Sequence, residues 1–200
     1  MTEVLELETS VGRARAHLHP VEDARALLIL GHGAGGSVAA PDLVAATAGA
    51  VAAGVSVVLV EQPYRVAGRK SPESAPRLDA AWIDVLAAVR PHFGGLPLLV
   101  GGRSSGARVA CRTAEAAGAV GVVCLAFPVH PPGRPEKSRL GELRAVGVPV
   151  LVVQGESDPF GRPPRGRGRR VVVVRGDHGL KSDLPGLRKA IHRWLQEQLS

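Results

Sequence analysis

Six short apolar runs punctuate the chain, and they limit its fold more than any other feature. They are Ala26–Leu30, Val55–Val60, Leu96–Val100, Val120–Ala126, Val148–Val153 and Val171–Val174. Their length, their aliphatic and β-branched content and their lack of polar alternation are those of strands covered on both faces. Helical periodicity lies between and after them. Leu78, Trp82, Val85, Leu86 and Val89 fall on one helical face, and Leu184, Leu187, Ile191, Trp194 and Leu195 on another, with Ser182 as its N-cap. Buried strands alternating with helices call for parallel pairing through right-handed crossovers. Ahead of them, Val4–Glu8 and Arg13–Leu18 flank a Ser10-Val11-Gly12 turn and predict an antiparallel hairpin. The expectation is an α/β chain with a doubly wound, mostly parallel sheet and an antiparallel N-terminal hairpin, as one domain over residues 1–200. In such sheets ligands gather at the carboxyl ends of the strands, so the residues following each run are where chemistry is sought.

Several classes are set aside before any motif is considered. Leu43–Val60 carries no charge and just reaches spanning length, but its Ala- and Gly-rich first part and β-branched second part divide at Gly54. A helix followed by a buried strand accounts for both parts, so no membrane association is expected. Cys111 and Cys124 have neither metal spacing nor a disulfide framework and read as buried, reduced thiols. With an acidic, interrupted start at Met1-Thr2-Glu3-Val4-Leu5-Glu6 and no visible signal peptide, the expected location is cytoplasmic. The absence of Asn and the wealth of Ala, Gly, Val, Arg and Pro suit a GC-rich bacterial genome. The net charge of +7 owes much to Arg162, Arg165, Arg167, Arg169 and Arg170. No aromatic residues interleave them for base stacking, so nucleic acid is not expected. A solvated loop is the ordinary reading of segment 162–170, and a protein partner is the other.

Gly102-Arg103-Ser104-Ser105-Gly106 matches G-x-S-x-G, a weak signal alone in a chain with 25 glycines. Its setting strengthens it, because a strand precedes it and a helical stretch, Ala107–Ala117, follows. A serine nucleophile needs that strand–turn–helix geometry to lift its hydroxyl above the sheet. The Ser105 N–H is then left at a helix start, able to stabilise an oxyanion. Gly31-His32-Gly33-Ala34-Gly35-Gly36 follows an earlier strand and offers a second donor, the Ala34 N–H. The same glycines also match the dinucleotide fingerprint G-x-G-x-x-G, with Glu61 as the ribose acid. Against this rival, Ser37–Ala40 separate them from the helix that Pro41 and Asp42 begin.

Asp158, in Gln154-Gly155-Glu156-Ser157-Asp158, and His178, in Arg175-Gly176-Asp177-His178-Gly179, each follow a strand. A histidine can take the Ser104 proton as general base while an acid orients its ring. The order Ser104, Asp158, His178 is the one such a sheet would carry. Glu156 and Asp177 are alternative acids. Candidate substrate contacts are His32, Tyr64, Arg69, Arg103 and His130. Arg65, Arg69 and Lys70, in the long connection Pro63–Pro76, together with Arg103 would favour an anionic substrate. His17, His19, His92 and His192 read as surface or structural.

Taken together, Gly31-His32-Gly33-Ala34-Gly35, Glu61-Gln62-Pro63-Tyr64, Gly68-Arg69-Lys70, Gly101-Gly102-Arg103-Ser104, Phe127-Pro128-Val129-His130-Pro131-Pro132-Gly133 and Asp177-His178 resemble a known group. It is the α/β-hydrolase-like family, with a dienelactone-hydrolase-like core, that includes a subunit of the NSL histone acetyltransferase complex, a testis-expressed protein and many bacterial members. The resemblance runs from about residue 26 to the C-terminus. It implies an α/β-hydrolase fold and carries over a Ser104–His178–Asp158 triad without settling activity. The residues themselves suggest a minimal fold with no connection long enough for a cap domain, and acyl transfer to water without metal or organic cofactor. Some relatives are scaffolds, so a catalytically idle interaction module is the alternative. The chain departs from the pattern between Asp158 and His178. There only Phe160–Arg170 bridges two strands, and Pro163 and Pro164 oppose a helix.

Overall fold

The computed structural model describes residues 3–200; Met1 and Thr2, the first residues of the acidic start, lie outside them. Eight strands make one sheet, β1 (Glu3–Thr9), β2 (Gly12–His19), β3 (Ala26–Gly31), β4 (Val55–Glu61), β5 (Leu98–Arg103), β6 (Gly121–Leu125), β7 (Val150–Gly155) and β8 (Arg169–Val174). Their order is β1-β2-β4-β3-β5-β6-β7-β8. The hairpin β1–β2 and the pair β2–β4 are antiparallel, and every pairing from β4 through β8 is parallel. This is the doubly wound sheet with an antiparallel edge that the apolar runs call for.

The helices are α1 (Pro41–Val51), α2 (Pro63–Val66), α3 (Ala75–Val89), α4 (Ser105–Thr113), α5 (Leu140–Arg144) and α6 (Leu184–Gln198). Alternate residues of each strand feed opposite faces. Leu27 and Ile29 of β3 pack with Trp82 and Leu86 of α3, whereas Leu28 and Leu30 pack with Leu43 of α1 and Ile191 of α6. Truncating one of these wholly buried side chains to Ala would cost roughly 2–5 kcal/mol. On the α3 side, Arg112 bridges Asp79 of α3 and Glu142 of α5, and Arg108 adds a second bond to Glu142. Burial would raise the Glu142 carboxyl, but the two guanidiniums outweigh it and hold the group below its ordinary value. Cys111 of α4 and Cys124 of β6 are buried free thiols with sulfurs 3.6 Å apart.

Most strand ends shift by one or two residues from the sequence expectation, and four differences bear on the argument. β5 begins at Leu98 rather than Leu96, because Pro97 has no N–H to offer the ladder. The stretch expected at Ala107–Ala117 becomes α4, which begins earlier, at Ser105, and ends at Thr113. Ser182 is not the cap of α6; Asp183 is, its carboxylate accepting from the Gly186 N–H at 3.0 Å. The connection Pro63–Pro76 is not one open loop, since α2 opens it and Pro76 already belongs to α3. Between β7 and β8 there is no helix, as the two prolines require. Among the described residues, no helix is long and apolar enough to cross a membrane.

Candidate active site

Ser104 sits at the turn from β5 into α4 with φ 51° and ψ −106°, a strained backbone for a residue with a side chain. Such a conformation costs about 1–3 kcal/mol and persists only where the surroundings over-determine it. Here its N–H donates to the Leu125 carbonyl at 2.9 Å and its carbonyl accepts from Arg108 at 3.2 Å. Glycines allow β3 and α4 to close around it. A Cβ on Gly102 would lie 2.5 Å from the Gly31 carbonyl oxygen, and one on Gly106 would strike the same oxygen. Bare backbone at both positions is what lets this turn exist.

The serine hydroxyl, the histidine ring and the aspartate carboxylate form one hydrogen-bonded chain. His178 Nε2 lies 2.9 Å from Ser104 Oγ, and Nδ1 lies 2.8 Å from Asp158 Oδ2. The Asp158 side chain is fully buried and that of His178 is 16% exposed, so solvent reaches the couple only through the histidine. Neither alternative acid competes. Asp177 turns back to accept from the Gly179 N–H at 2.8 Å, and Glu156 is exposed.

Three side chains that the sequence did not single out hold this chain in place. Gln154, at 0% exposure, donates through Nε2 to Asp158 Oδ2 at 2.7 Å, to the Gly161 carbonyl at 2.9 Å and to the Phe127 carbonyl at 3.2 Å. All three partners are acceptors, so the amide has only one workable orientation. Phe160, whose N–H bonds Asp158 Oδ1 at 2.8 Å, stacks its ring on His178 with centroids 4.1 Å apart and planes inclined by 28°. Asp42, 1% exposed, sits with Oδ2 2.8 Å from Arg103 Nε, at an angle too poor for a directed hydrogen bond. Burial pushes the Asp42 carboxyl up, and the Arg103 charge opposes that. A polar residue ending an apolar strand was the available signal for Gln154. Asp42 and Phe160 gave none that local pattern could use.

The loop carrying Ala34 is fixed from beneath. Tyr64 donates to the Ala34 carbonyl at 2.7 Å, and burial pushes its phenol up to about 12, so it stays a donor. Among the described residues, no protein group accepts from the N–H of Ala34 or of Ser105, which leaves both amides free for a ligand.

The other candidate contacts each have protein partners of their own. His32 is buried and spends both ring nitrogens on backbone: Nδ1 on the Gly33 carbonyl at 2.8 Å and Nε2 on the Gln62 N–H at 3.1 Å. Those partners require the Nδ1–H tautomer, and the ring supports the loop instead of contacting substrate. Tyr64 likewise supports rather than lines the site. Arg69 is held by Glu73, and Arg103 by Asp42 and by the His178 carbonyl, 3.2 Å from its Nη2. His130 braces the acid loop, its Nδ1 bonded to the Pro131 carbonyl at 2.9 Å and its N–H to the Phe160 carbonyl at 3.1 Å.

Residues 24–183 match the family model described as "Alpha/beta hydrolase domain". The chain belongs to that family. An α/β-hydrolase accounts for the glycine loop too: Gly36 stops short of α1, which begins at Pro41, so the dinucleotide alternative lacks its helix-borne glycine. No curated protein sequence matches the chain. Solved α/β-hydrolase structures do. One is an α/β serine hydrolase without lid from Xanthomonas campestris, with 21% identity, TM-score 0.78, and coverage of 98% of this chain and 94% of that one. Another is Est1E from Butyrivibrio proteoclasticus, with 14% identity, TM-score 0.78, and coverage of 98% of each chain. A dienelactone hydrolase from Anabaena variabilis has 16% identity and TM-score 0.75, covering 98% of this chain and 95% of its own. At these identities the likeness is one of fold: the α/β-hydrolase sheet with no lid inserted above it.

Proposed function

We propose that this α/β-hydrolase is a serine hydrolase cleaving an ester-like acyl bond through an acyl-enzyme. The observation that carries the proposal is the unbroken contact from Asp158 through His178 to a strained Ser104. His178 Nε2 takes the Ser104 proton as Oγ attacks the carbonyl carbon. The tetrahedral oxyanion accepts from the Ala34 and Ser105 N–H groups, each such donor being worth about 3 kcal/mol. Collapse expels the alcohol, which receives the proton from His178. Water then attacks the acyl-enzyme, giving its proton to His178, and Ser104 leaves with that proton as the carboxylic acid departs. Asp158 keeps the proton-bearing Nδ1 turned towards itself and stabilises the transient imidazolium.

Support also comes from relatives whose names include serine hydrolase and dienelactone hydrolase. Within the family, the Arg103-Ser104 step and the His130-Pro131-Pro132-Gly133 segment group the chain with the branch containing the NSL complex subunit and the testis-expressed protein. The proposed setting is the cytoplasm.

A fluorophosphonate probe tests the reading. Wild type should label, Ser104→Ala should not, and His178→Ala should label far more slowly. Folded wild-type protein that resists labelling would sink the hydrolase proposal and leave an idle interaction module.

A further inference from the structure

A cavity of about 480 Å³ is lined by residues that flank Ser104 and His178 in the chain. Its walls continue the parts of that site. Gly35 and Gly36 extend the loop bearing the Ala34 N–H, Arg103 immediately precedes Ser104, and Gly179 and Lys181 follow His178. Four charged side chains line it: Asp42, Arg65, Arg103 and Lys181. Asp42 and Arg103 neutralise each other at 2.8 Å.

Arg65 and Lys181 remain. Among the described residues neither forms an ion pair. Arg65 is only partly exposed, its Nε is buried without a hydrogen-bond partner, and its one side-chain bond is 3.3 Å from Nη1 to the Arg69 carbonyl. A guanidinium drawn out of water normally acquires a carboxylate, because an unpaired buried charge is costly. Even the neighbouring exposed cations find one, Arg69 and Arg77 both closing on Glu73. Arg65 breaks that pattern, and it does so at the wall of a cavity that Arg103 and Gly179, the chain neighbours of Ser104 and His178, also line.

We propose that Arg65 and Lys181 form an anion subsite, and that the substrate is an ester carrying a carboxylate. Arg65 supplies a planar, bidentate partner for that group, and Lys181 a mobile charge at the rim. The inference rests on the hydrolase reading for its chemistry but not for its binding.

The experiment compares matched esters that differ in one charge. For the acyl side the pair is p-nitrophenyl butyrate and p-nitrophenyl hemisuccinate; for the alcohol side it is phenyl acetate and 4-acetoxybenzoate. In one pair the wild type should favour the anionic member, by kcat/KM, by about tenfold or more. That ratio should collapse in Arg65→Met and fall partway in Lys181→Met, whose exposed position guards against misfolding. Arg77→Met, an exposed cation outside the cavity, should keep the wild-type ratio. Ratios near unity in both pairs, or a preference that survives both variants, overturn the subsite while leaving the hydrolase reading intact. If no ester is cleaved, the hydrolase reading is lost and calorimetry judges the subsite alone. Succinamate binding about tenfold tighter than butyramide, and weakened by Arg65→Met, sustains it; equal binding removes it.

Discussion

Ser104, the proposed nucleophile, and its two partners stand on very different ground. Around Ser104, the ends of β3 and β5 and the start of α4 meet backbone to backbone, with Gly31, Gly102 and Gly106 in mutual contact and α3 packed beneath. Asp158 and His178 stand on β7 and β8, and β8 is an open edge whose Val173 is 43% exposed, with no helix covering the crossover. On this flank, local polar contacts replace layered packing. Gln154 clamps the acid, Phe160 covers the imidazole, Gly155 lets the Asp177 carbonyl lie against β7, and buried Leu180 anchors the histidine loop. With no helix in this crossover, a few buried hydrogen bonds fix the Asp158 and His178 side chains.

The sharpest way to break this contrast is to add one methyl group on each side of it. In Gly106→Ala the new Cβ meets only backbone, the Gly31 carbonyl and the His32 oxygen at 2.8 Å, so nothing flexible can yield. A loss of about 3 kcal/mol is expected, read as a lower urea midpoint at unchanged slope. In Gly161→Ala the Cβ lies 2.7 Å from His130 Nε2, the tip of a side chain that can move, and the main penalty is the positive φ of 83°. About 1 kcal/mol is expected there. Equal losses would mean the flank is as tightly packed as the nucleophile turn.

Next in size is Gln154→Met, which keeps length and volume but removes the clamp. The Gly161 and Phe127 carbonyls lose a donor, and Asp158 keeps only His178 and Phe160 as partners. Turnover should fall by about 100-fold, since a misplacement of about 1 Å suffices for that. Fluorophosphonate labelling should slow in parallel. A variant with normal turnover and a lower midpoint would make Gln154 a purely structural residue.

The same contrast explains what could be read from the chain and what could not. The central strands β3 to β7 announced themselves because they are buried on both faces, and Ser104, Asp158 and His178 because each follows a strand. Contacts across the sheet were hidden. His32 and Tyr64 looked like substrate contacts because a polar residue in a glycine loop or after a strand has two fates, and only coordinates reveal that backbone partners had taken these. Arg69 and Arg103 looked free because Glu73 lies in a loop and Asp42 at a helix start, where an acid ordinarily caps or faces water. Gln154 lies beyond the apolar run Val148–Val153, yet β7 continues through it to Gly155, and those two extra strand positions place its amide under the acid.

A smaller effect is expected for Phe160→Leu. Stacking of this kind is worth about 0.5–1.5 kcal/mol, and Leu still fills much of the space. kcat/KM should drop by roughly three- to tenfold, with the urea midpoint nearly unchanged. A loss confined to KM would instead place Phe160 against the substrate.

The smallest effect tests the rigid side through a proton. Burial lowers His32 from its ordinary 6.5, against the opposing bond to the Gly33 carbonyl. The folded chain therefore holds the ring neutral, its Nε2 accepting from Gln62. For a base whose folded value lies below its unfolded one, the stabilisation is complete above the unfolded value. It is lost as pH falls from there towards the folded value, because the unfolded chain binds the extra proton first. Thermal melts from about pH 7.5 down to 5 should show Tm declining, with a slope of at most about 1.4 kcal/mol per pH unit from this group. His32→Gln keeps an acceptor for the Gln62 N–H but cannot titrate. It should melt lower at neutral pH and lose part of the decline, while the half-buried His19 contributes equally to both proteins. Parallel Tm curves for the two proteins would show that the loop beneath the oxyanion donors does not depend on a neutral imidazole.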